Sequence, residues 1–202
     1  MGDIHSIVIA FGLGYLLGSI PFGLFYAYAS GAGDVRKIGS GNIGATNVLR
    51  TGKKWAAAGT LLCDGLKGVA AVLVAQHFLP PGTEMVAAAG AVIGHVFPVW
   101  LKFKGGKGVA TFIGVSLALH WPAGLLVIAV WIGMAALFRI SSLSALIAIA
   151  LAPDYFFFLG QAHDAPVIAL LALLVIAMHH TNIRRLLNGT EPRIGSKGKG
   201  EG

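Results

Sequence analysis

Seven runs of apolar residues, separated by short polar or glycine-rich segments, divide most of the chain. A membrane-spanning helix needs roughly 20 residues, with a lower limit of about 17. The fourth and seventh runs are shorter, so we expect them to tilt little, to thin the bilayer or to extend into their polar flanks. The runs lie at about 4–30, 55–79, 85–101, 109–120, 121–138, 143–159 and 165–178.

This pattern predicts an all-α fold, a polytopic membrane helical bundle with about seven transmembrane helices. A bundle with five full spans, in which the fourth run is re-entrant, is the alternative. We expect a single integral membrane domain covering residues 1–202, with a disordered tail after about residue 191 that is rich in Pro, Gly and Lys. The first run predicts a retained helix rather than a signal peptide, because its N-terminus lacks Lys and Arg and its apolar stretch is too long.

Composition supports a membrane protein. Charged residues make up 11% of the chain and hydrophobic residues 56%, whereas about 25% of the residues of a soluble protein are charged. The net charge of +7 would suggest a nucleic-acid partner in a soluble protein, but here the basic residues lie between apolar runs, so we expect none. The single cysteine, Cys63, lies within an apolar run and excludes a disulfide within the chain.

The basic residues indicate orientation. If the N-terminus lies outside and seven helices cross the membrane, every Lys and Arg except Lys67 falls in a cytoplasmic segment, at 31–54, 102–108, 139–142 or 179–202. The outside segments hold only acidic charges. Because basic loops stay on the cytoplasmic side, this asymmetry predicts an outside N-terminus, a cytoplasmic C-terminus and a bacterial inner-membrane location.

The first candidate site is segment 39–47, with the sequence GSGNIGATN, followed by Arg50. Its GxGxxG match does not indicate a dinucleotide site, because no strand precedes it. Glycines let backbone N–H groups converge on an anion, and neutral side chains add donors; Arg50 adds a charged grip. A flexible linker is the alternative. The candidate residues are Ser40, Gly41, Asn42, Thr46, Asn47 and Arg50.

The second candidate site is segment 102–111, which contains KFKGGKGVAT. It resembles a P-loop, but Gly108 stands where Ser or Thr is required, so a nucleotide triphosphatase is disfavoured. A glycine-lysine loop that enters a helix near residue 109 favours phosphate binding at the helix N-terminus. A glycine turn with basic anchors is the alternative. The candidate residues are Lys104, Gly105, Gly106, Lys107 and Gly108.

The third candidate site is where the seventh run ends. His179 and Asn182 are three residues apart and can share a helix face, and a histidine there can act as base, acid or phosphate ligand. Ser142, after the fifth run, is a possible hydroxyl donor. Asp64 and Lys67 lie within the second run, where ionisable groups are costly, and are expected to pair with each other. No Cys/His spacing matches a zinc site, so we expect no metal and no cofactor.

These motifs resemble the bacterial acyl-phosphate-dependent glycerol-3-phosphate acyltransferase family, whose members are integral membrane proteins. The resemblance extends from GSIPFG at 18–23 to Glu191. The most specific parts are GSGNIGATN with Arg50 and GHVFPVWLKFKGGKGVAT at 94–111. The pattern of His179, Asn182, Arg185, Gly189 and Glu191 agrees with the third motif of the family.

The resemblance implies transfer of an acyl group from acyl phosphate to the 1-hydroxyl of glycerol 3-phosphate. The products would be lysophosphatidic acid and phosphate, in the first step of phospholipid biosynthesis. It assigns catalytic roles to His179, Asn182, Ser40 and Arg50, and substrate binding to Gly41, Asn42, Thr46, Asn47, Lys104, Gly105, Gly106, Lys107, Gly108 and Ser142. The implied partners are acyl phosphate, glycerol 3-phosphate and membrane lipid, with the enzyme that makes acyl phosphate as a candidate protein partner.

The main alternative is a membrane transporter of a phosphorylated solute. Such a protein would place broken helices and charges near the middle of the membrane. In this sequence nearly all polar motifs belong to one face and no internal repeat is visible, which favours an enzyme whose active site faces the cytoplasm. A lipid-binding scaffold without catalysis is a third interpretation.

Overall fold

All regular secondary structure within residues 3–195, which are the residues that the computed structural model describes, is helical. The α-helices are α1 Ile4–Gly18, α2 Phe22–Ala29, α3 Ala45–Leu49, α4 Lys54–Phe78, α5 Glu84–Val96, α6 Val109–Leu119, α7 Trp121–Phe138, α8 Ser141–Ala150, α9 Ala152–Phe158, α10 Ala165–Ala177 and α11 His180–Leu187. Short 3₁₀ turns occur at Val35–Lys37 and Val99–Leu101. The prediction of an all-α, polytopic membrane bundle is confirmed.

Five helical segments within residues 3–195 are long and apolar enough to cross a membrane. A sixth forms if α10 and α11, which meet at a bend of 63°, are counted together. These segments coincide with the predicted apolar runs. The fourth run forms α6, which has only 11 residues and is therefore not among these segments.

Contacts between loops place the polar motifs together at one end of the bundle, which we call the basic end. The Lys107 ammonium donates to Asn182, Thr46 Oγ1 lies 3.3 Å from Ser141 Oγ, and Ser142 donates to Glu191. These pairs link all four segments that the basic residues predicted to share one side. At the other end, the His120 ring lies 6.2 Å from that of Phe156. Helix α6 therefore runs from one end of the bundle to the other despite its length.

Small residues let α1 and α5 pack with their backbones in contact. A Cβ at Gly14 would overlap the Ala87 carbonyl, and one at Gly18 would overlap that of Ala91. In return, α5 presents Gly90 to the backbone of α1. Lipid supplies no hydrophobic driving force between helices, so close van der Waals packing of this kind holds them together.

Helices α4 and α6 pack in the same way. A Cβ at Gly114 would overlap the Gly65 carbonyl, and a Cβ at Gly68 would lie 2.6 Å from the Thr111 oxygen. The Thr111 hydroxyl also donates to the Asp64 carbonyl at 2.9 Å. The first turn of α6, which follows the glycine-lysine loop, is thereby fixed to the middle of α4.

The first apolar run is broken between α1 and α2, which the sequence analysis did not anticipate. Pro21 has no N–H to donate and fixes its own φ, so it interrupts the helix. Two carbonyls at the break accept hydrogen bonds from side chains: Trp100 Nε1 donates to Ser19 at 2.8 Å, and Lys67 Nζ donates to Ile20 at 2.8 Å. Lys67 also pairs with Asp64 as predicted, at 2.7 Å.

We predict that Gly14→Ala and Gly12→Ala, two residues apart on α1 and therefore on different faces of the helix, have opposite effects on stability. The added methyl at Gly14 collides with α5, whereas nothing lies within 4 Å of a Cβ at Gly12. Overpacking should cost about 1–3 kcal/mol for Gly14→Ala, and Gly12→Ala should be neutral or stabilising by up to about 1 kcal/mol. Thermal unfolding of the purified variants in detergent measures both, and equal midpoints would contradict the packing.

Candidate active site

A cleft of about 250 Å³ opens at the basic end and joins the three motifs. One wall is the glycine loop after α2, another is Lys107, and the third is the bend between α10 and α11. The lining residues are Ser40, Gly41, Asn42, Lys107, Met178, His180, Thr181 and Arg185. Four of them were predicted from the sequence; Met178, His180 and Thr181 were not, and Arg185 was noted only as part of a motif.

Asn47 shapes the glycine loop. Its buried side-chain amide donates to the carbonyls of Val35, Ile38 and Asn42 at 2.8–2.9 Å, and its oxygen accepts from the Ser40 N–H at 3.1 Å. These bonds use both amide hydrogens and the oxygen. The prediction that Asn47 binds substrate directly is therefore replaced by a role in shaping the loop.

Two glycines of this loop, Gly39 and Gly41, have φ values of +54° and +70°, a region that side chains with a Cβ rarely adopt. The Arg50 side chain lies across Gly39, where a Cβ would be 2.9 Å from the guanidinium. The Asn42 oxygen accepts from the Gly44 N–H at 2.8 Å. As a result Ser40 and Gly41 are exposed at the cleft beside Arg50.

The glycines before Lys107 serve a different purpose from the one predicted. The Gly105 N–H donates to the Val96 carbonyl and the Gly106 N–H to the His95 carbonyl, both at 3.0 Å. A Cβ at Gly106 would overlap the His95 ring. The interpretation of Gly105 and Gly106 as backbone donors to a phosphate is therefore wrong, because both N–H groups already bind the end of α5.

Lys107, which follows these glycines, lines the cleft. Its ammonium donates to Asn182 Oδ1. Burial lowers the pKa of Lys107 to about 8; Glu191 opposes this change, and the positive charges of Arg185 and Arg50 add to it. The effect of Arg185 and Arg50 on the pKa of Lys107 shows that their positive charges act on its ammonium. A group of positive charges of this kind favours the binding of an anion.

Glu191 holds the network together. Its Oε1 accepts from Ser142 Oγ and Asn182 Nδ2, both at 2.6 Å, and its Oε2 accepts from Arg185 Nε at 2.6 Å. Because Asn182 donates to Glu191, its oxygen faces Lys107. Burial alone would raise the pKa of Glu191, but the bonds from Arg185, Ser142 and Asn182 lower it below its usual value.

Sequence analysis used Glu191 only as the last residue of a motif and expected disorder after it. Ile194 in fact exchanges hydrogen bonds with Arg139, accepting from its side chain and donating to its carbonyl. The chain thus stays attached to the bundle as far as Ile194, and residues 196–202 of the predicted disordered tail lie outside the described part.

His179 is buried, with 3% of its surface exposed. Its Nδ1 lies 2.7 Å from the Val175 carbonyl, which assigns the ring hydrogen to Nδ1 and leaves Nε2 as the acceptor. His179 precedes α11, and Asn182 lies in the first turn of that helix. Both residues therefore sit at the bend that forms the third wall of the cleft.

The remaining predicted residues have varied positions. Lys104 is exposed and does not line the cleft. Thr46 contacts Ser141 rather than the cleft. Gly108, with φ of +91°, is the N-cap residue before α6. Among residues 3–195, no cluster of three or more His, Cys, Asp or Glu side chains could hold a metal ion.

We predict that Glu191→Gln removes a part of the acid sensitivity of the fold. The pKa of Glu191 is 4.5 in the unfolded chain and lower in the folded protein. The carboxylate therefore stabilises the folded state above pH 4.5, and this stabilisation is lost as the pH falls through the pKa of the folded protein. The native protein should lose more stability than Glu191→Gln between pH 5 and pH 3. Thermal midpoints measured across that range test this; parallel curves would show that Glu191 is not ionised in the network.

Comparison with known proteins agrees with this arrangement. A family model described as glycerol-3-phosphate acyltransferase matches residues 8–189. A glycerol-3-phosphate acyltransferase of Mesorhizobium japonicum is 55% identical over 194 residues, covering 96% of this chain and 99% of the relative. One from Rhodopseudomonas palustris is 56% identical over 190 residues, covering 94% and 97%.

Two solved structures are also similar. They are crystal structures of the integral membrane glycerol 3-phosphate acyltransferase PlsY, in a glycerol 3-phosphate form and a lysophosphatidic acid form. The first is 37% identical with a TM-score of 0.87, and the second 36% identical with a TM-score of 0.85. Each match covers 94% of this chain and 96% of the solved chain. The chain therefore belongs to the glycerol-3-phosphate acyltransferase family and is an integral membrane enzyme.

Proposed function

We propose that this enzyme transfers an acyl group from acyl phosphate to the 1-hydroxyl of glycerol 3-phosphate and releases lysophosphatidic acid and phosphate. The observation that carries the proposal is that Lys107 and Arg185 line one cleft, with Arg50 against the adjoining Gly39 and a histidine with a free acceptor nitrogen at the neighbouring bend. Both substrates carry a phosphate, and a cationic cleft favours bound phosphate groups.

The reaction requires little chemical activation. Acyl phosphate is a mixed anhydride, so phosphate leaves readily when the hydroxyl oxygen bonds to the acyl carbon. The acyl carbon–phosphate oxygen bond breaks, and the hydroxyl proton passes to His179 Nε2 or to a phosphate oxygen. The enzyme mainly positions the two substrates and stabilises charge that develops on the acyl oxygen and the leaving phosphate.

The proposed roles follow from the contacts. Lys107 and Arg185 bind phosphate oxygens, while Ser40 and Arg50 hold a phosphate at the glycine loop. His179 accepts a hydrogen bond from the attacking hydroxyl, and Asn182 fixes Lys107. Ser142 acts through Glu191, because its hydroxyl already donates to that carboxylate.

A direct assay tests the proposal. Purified protein is given palmitoyl phosphate and glycerol 3-phosphate, and lysophosphatidic acid is measured by mass spectrometry. We expect product with this donor and much slower formation with palmitoyl-coenzyme A. Equal rates with both donors would contradict the proposed donor, and the absence of product would contradict the reaction.

We also propose that the enzyme lies in the bacterial inner membrane, with the N-terminus outside and the cleft facing the cytoplasm. The four basic segments meet at one end of the bundle, as the positive-inside rule requires. Reporter fusions at the two termini should therefore report opposite sides of the membrane. Fusions that report the same side would require an even number of spans and would contradict this orientation.

We predict that His179→Ala lowers turnover by about 10²-fold or more, the usual effect of removing a positioned proton acceptor. Asn182→Ala should also lower turnover, because Lys107 loses its fixed partner. His163→Ala is the matched control, since that ring is exposed beside Asp164 at the opposite end. Steady-state kinetics on variants of equal thermal stability measure the effect, and native turnover in His179→Ala would leave the ring without a role in the reaction.

We predict that the KM for glycerol 3-phosphate rises above pH 8. The lowered pKa of Lys107, about 8, means that its ammonium is present below that pH and is lost above it. Phosphate binding should weaken by at most about tenfold for each further pH unit. Lys107→Arg should flatten this dependence because a guanidinium stays charged. A KM that is the same at pH 7 and pH 9.5 in the native enzyme would show that Lys107 does not bind this phosphate.

A further inference from the structure

Three ionisable side chains form a cluster inside the bundle, away from the cleft. Asp64, Lys67 and His95 are 3–5% exposed. Lys67 Nζ lies 2.7 Å from Asp64 Oδ1, and His95 Nδ1 lies 3.6 Å from the same oxygen. Burying such charges is costly, and a buried ion pair is weak evidence for stability. Lys67 also donates to the Ile20 carbonyl at the break after α1, but a neutral donor would serve there, so the buried charges call for a further explanation.

The cluster connects four parts of the bundle. Asp64 and Lys67 belong to α4, His95 to the last turn of α5, and the Ile20 carbonyl at the break after α1 accepts from Lys67 at 2.8 Å. The Asp64 backbone carbonyl accepts from Thr111 in the first turn of α6. The loop that carries Lys107 joins two of these elements, because it runs from the end of α5 to the start of α6.

His95 is the link between the cluster and that loop. Its carbonyl accepts the Gly106 N–H at 3.0 Å, and its ring fills the space that a Cβ at Gly106 would occupy. The next residue is Lys107, whose ammonium reaches Asn182 in the cleft. A turn or shift of the His95 ring would therefore move Gly106 and with it Lys107.

We propose that Asp64, Lys67 and His95 are positioning residues for Lys107 and so set the affinity of the enzyme for glycerol 3-phosphate. The Asp64 carboxylate, held by Lys67, faces the Nδ1 edge of the imidazole at 3.6 Å, and the opposite edge of the ring packs against Gly106. Only small displacements are needed for an effect, because a misplacement of about 1 Å at a reacting site can cost about 10²-fold in rate. The inference rests on the proposed function, since its kinetic readout is turnover of glycerol 3-phosphate.

The test is the double variant Asp64→Asn/Lys67→Gln. Removal of one partner would leave an unpaired buried charge, whereas removal of both avoids that penalty. The Gln amide retains a donor for the Ile20 carbonyl, so the break in the first span stays satisfied. Ser116→Ala is the matched control: this buried hydroxyl lies in α6 and bonds only Phe112 of its own helix.

The measurements are thermal midpoint, kcat, both KM values and the Kd for glycerol 3-phosphate by calorimetry without donor. We expect a folded double variant whose KM and Kd for glycerol 3-phosphate rise about tenfold or more, while the KM for palmitoyl phosphate changes less than about twofold. Saturating glycerol 3-phosphate should restore most of the rate. Ser116→Ala should keep native values for all of these constants.

Two results would overturn the inference: native constants in the folded double variant, or a fall in kcat and active fraction with both KM values unchanged, as expected of a purely structural cluster. If the double variant does not fold, His95→Gln carries the same test, since it keeps the ion pair and a polar side chain beside Gly106. Absence of product from the native enzyme would instead overturn the proposed function, while the calorimetric Kd would still report on the positioning of Lys107.

Discussion

A carbonyl group that is freed inside lipid has no water to bind, and this constraint organises the bundle. At the break between α1 and α2, the Ile20 and Ser19 carbonyls accept hydrogen bonds from Lys67 and Trp100. Lys67 carries a charge into an apolar bundle, so Asp64 accompanies it, and His95 packs beside the pair. The arrangement that closes the break is therefore also the support on which the loop before Lys107 rests.

The charges at the cleft are only partly balanced by the protein. Arg50, Lys107 and Arg185 repel one another, and Glu191 offsets part of this repulsion through bonds to Arg185, Asn182 and Ser142. One carboxylate cannot neutralise three cations, so the site keeps a net positive charge. Under the proposed function, a phosphate group would complete the balance, with its binding groups already held in place by hydrogen bonds.

The chain pattern predicted the helices and their common polar end well, because both depend on local sequence. Apolar run length sets helix length, and each basic loop can be assigned to a side from its own residues. The location of segments 40–42, 107 and 179–185 at one end of the bundle could be predicted because each contains or adjoins basic residues that indicate the cytoplasmic side. The predicted residues Ser40, Gly41, Asn42 and Lys107 indeed line one cleft.

What the sequence did not predict depends on contacts between distant residues. Position 106 has no room for a side chain because the His95 ring occupies the space that a Cβ would fill. The local sequence cannot distinguish a glycine required for this packing from a glycine required for phosphate binding. Glu191 lies 49 residues from Ser142 along the chain, so its role as the centre of the network appears only in three dimensions. A broken helix was expected of a transporter, and the first span proves to be broken. Here, however, side chains bind the carbonyls at the break. The family assignment identifies the protein as an enzyme.

The shortness of α6 has a consequence for where the two substrates meet. A helix of 11 residues is about 16 Å long, whereas the hydrocarbon core of a bilayer is about 30 Å thick. Helix α6 alone is therefore too short to cross that core, so a span built on it requires a thinner bilayer or includes part of the loop that carries Lys107. Under the proposed function, a loop drawn inward in this way would let a water-soluble phosphate and the carboxyl end of a fatty acyl chain meet without the chain leaving the leaflet.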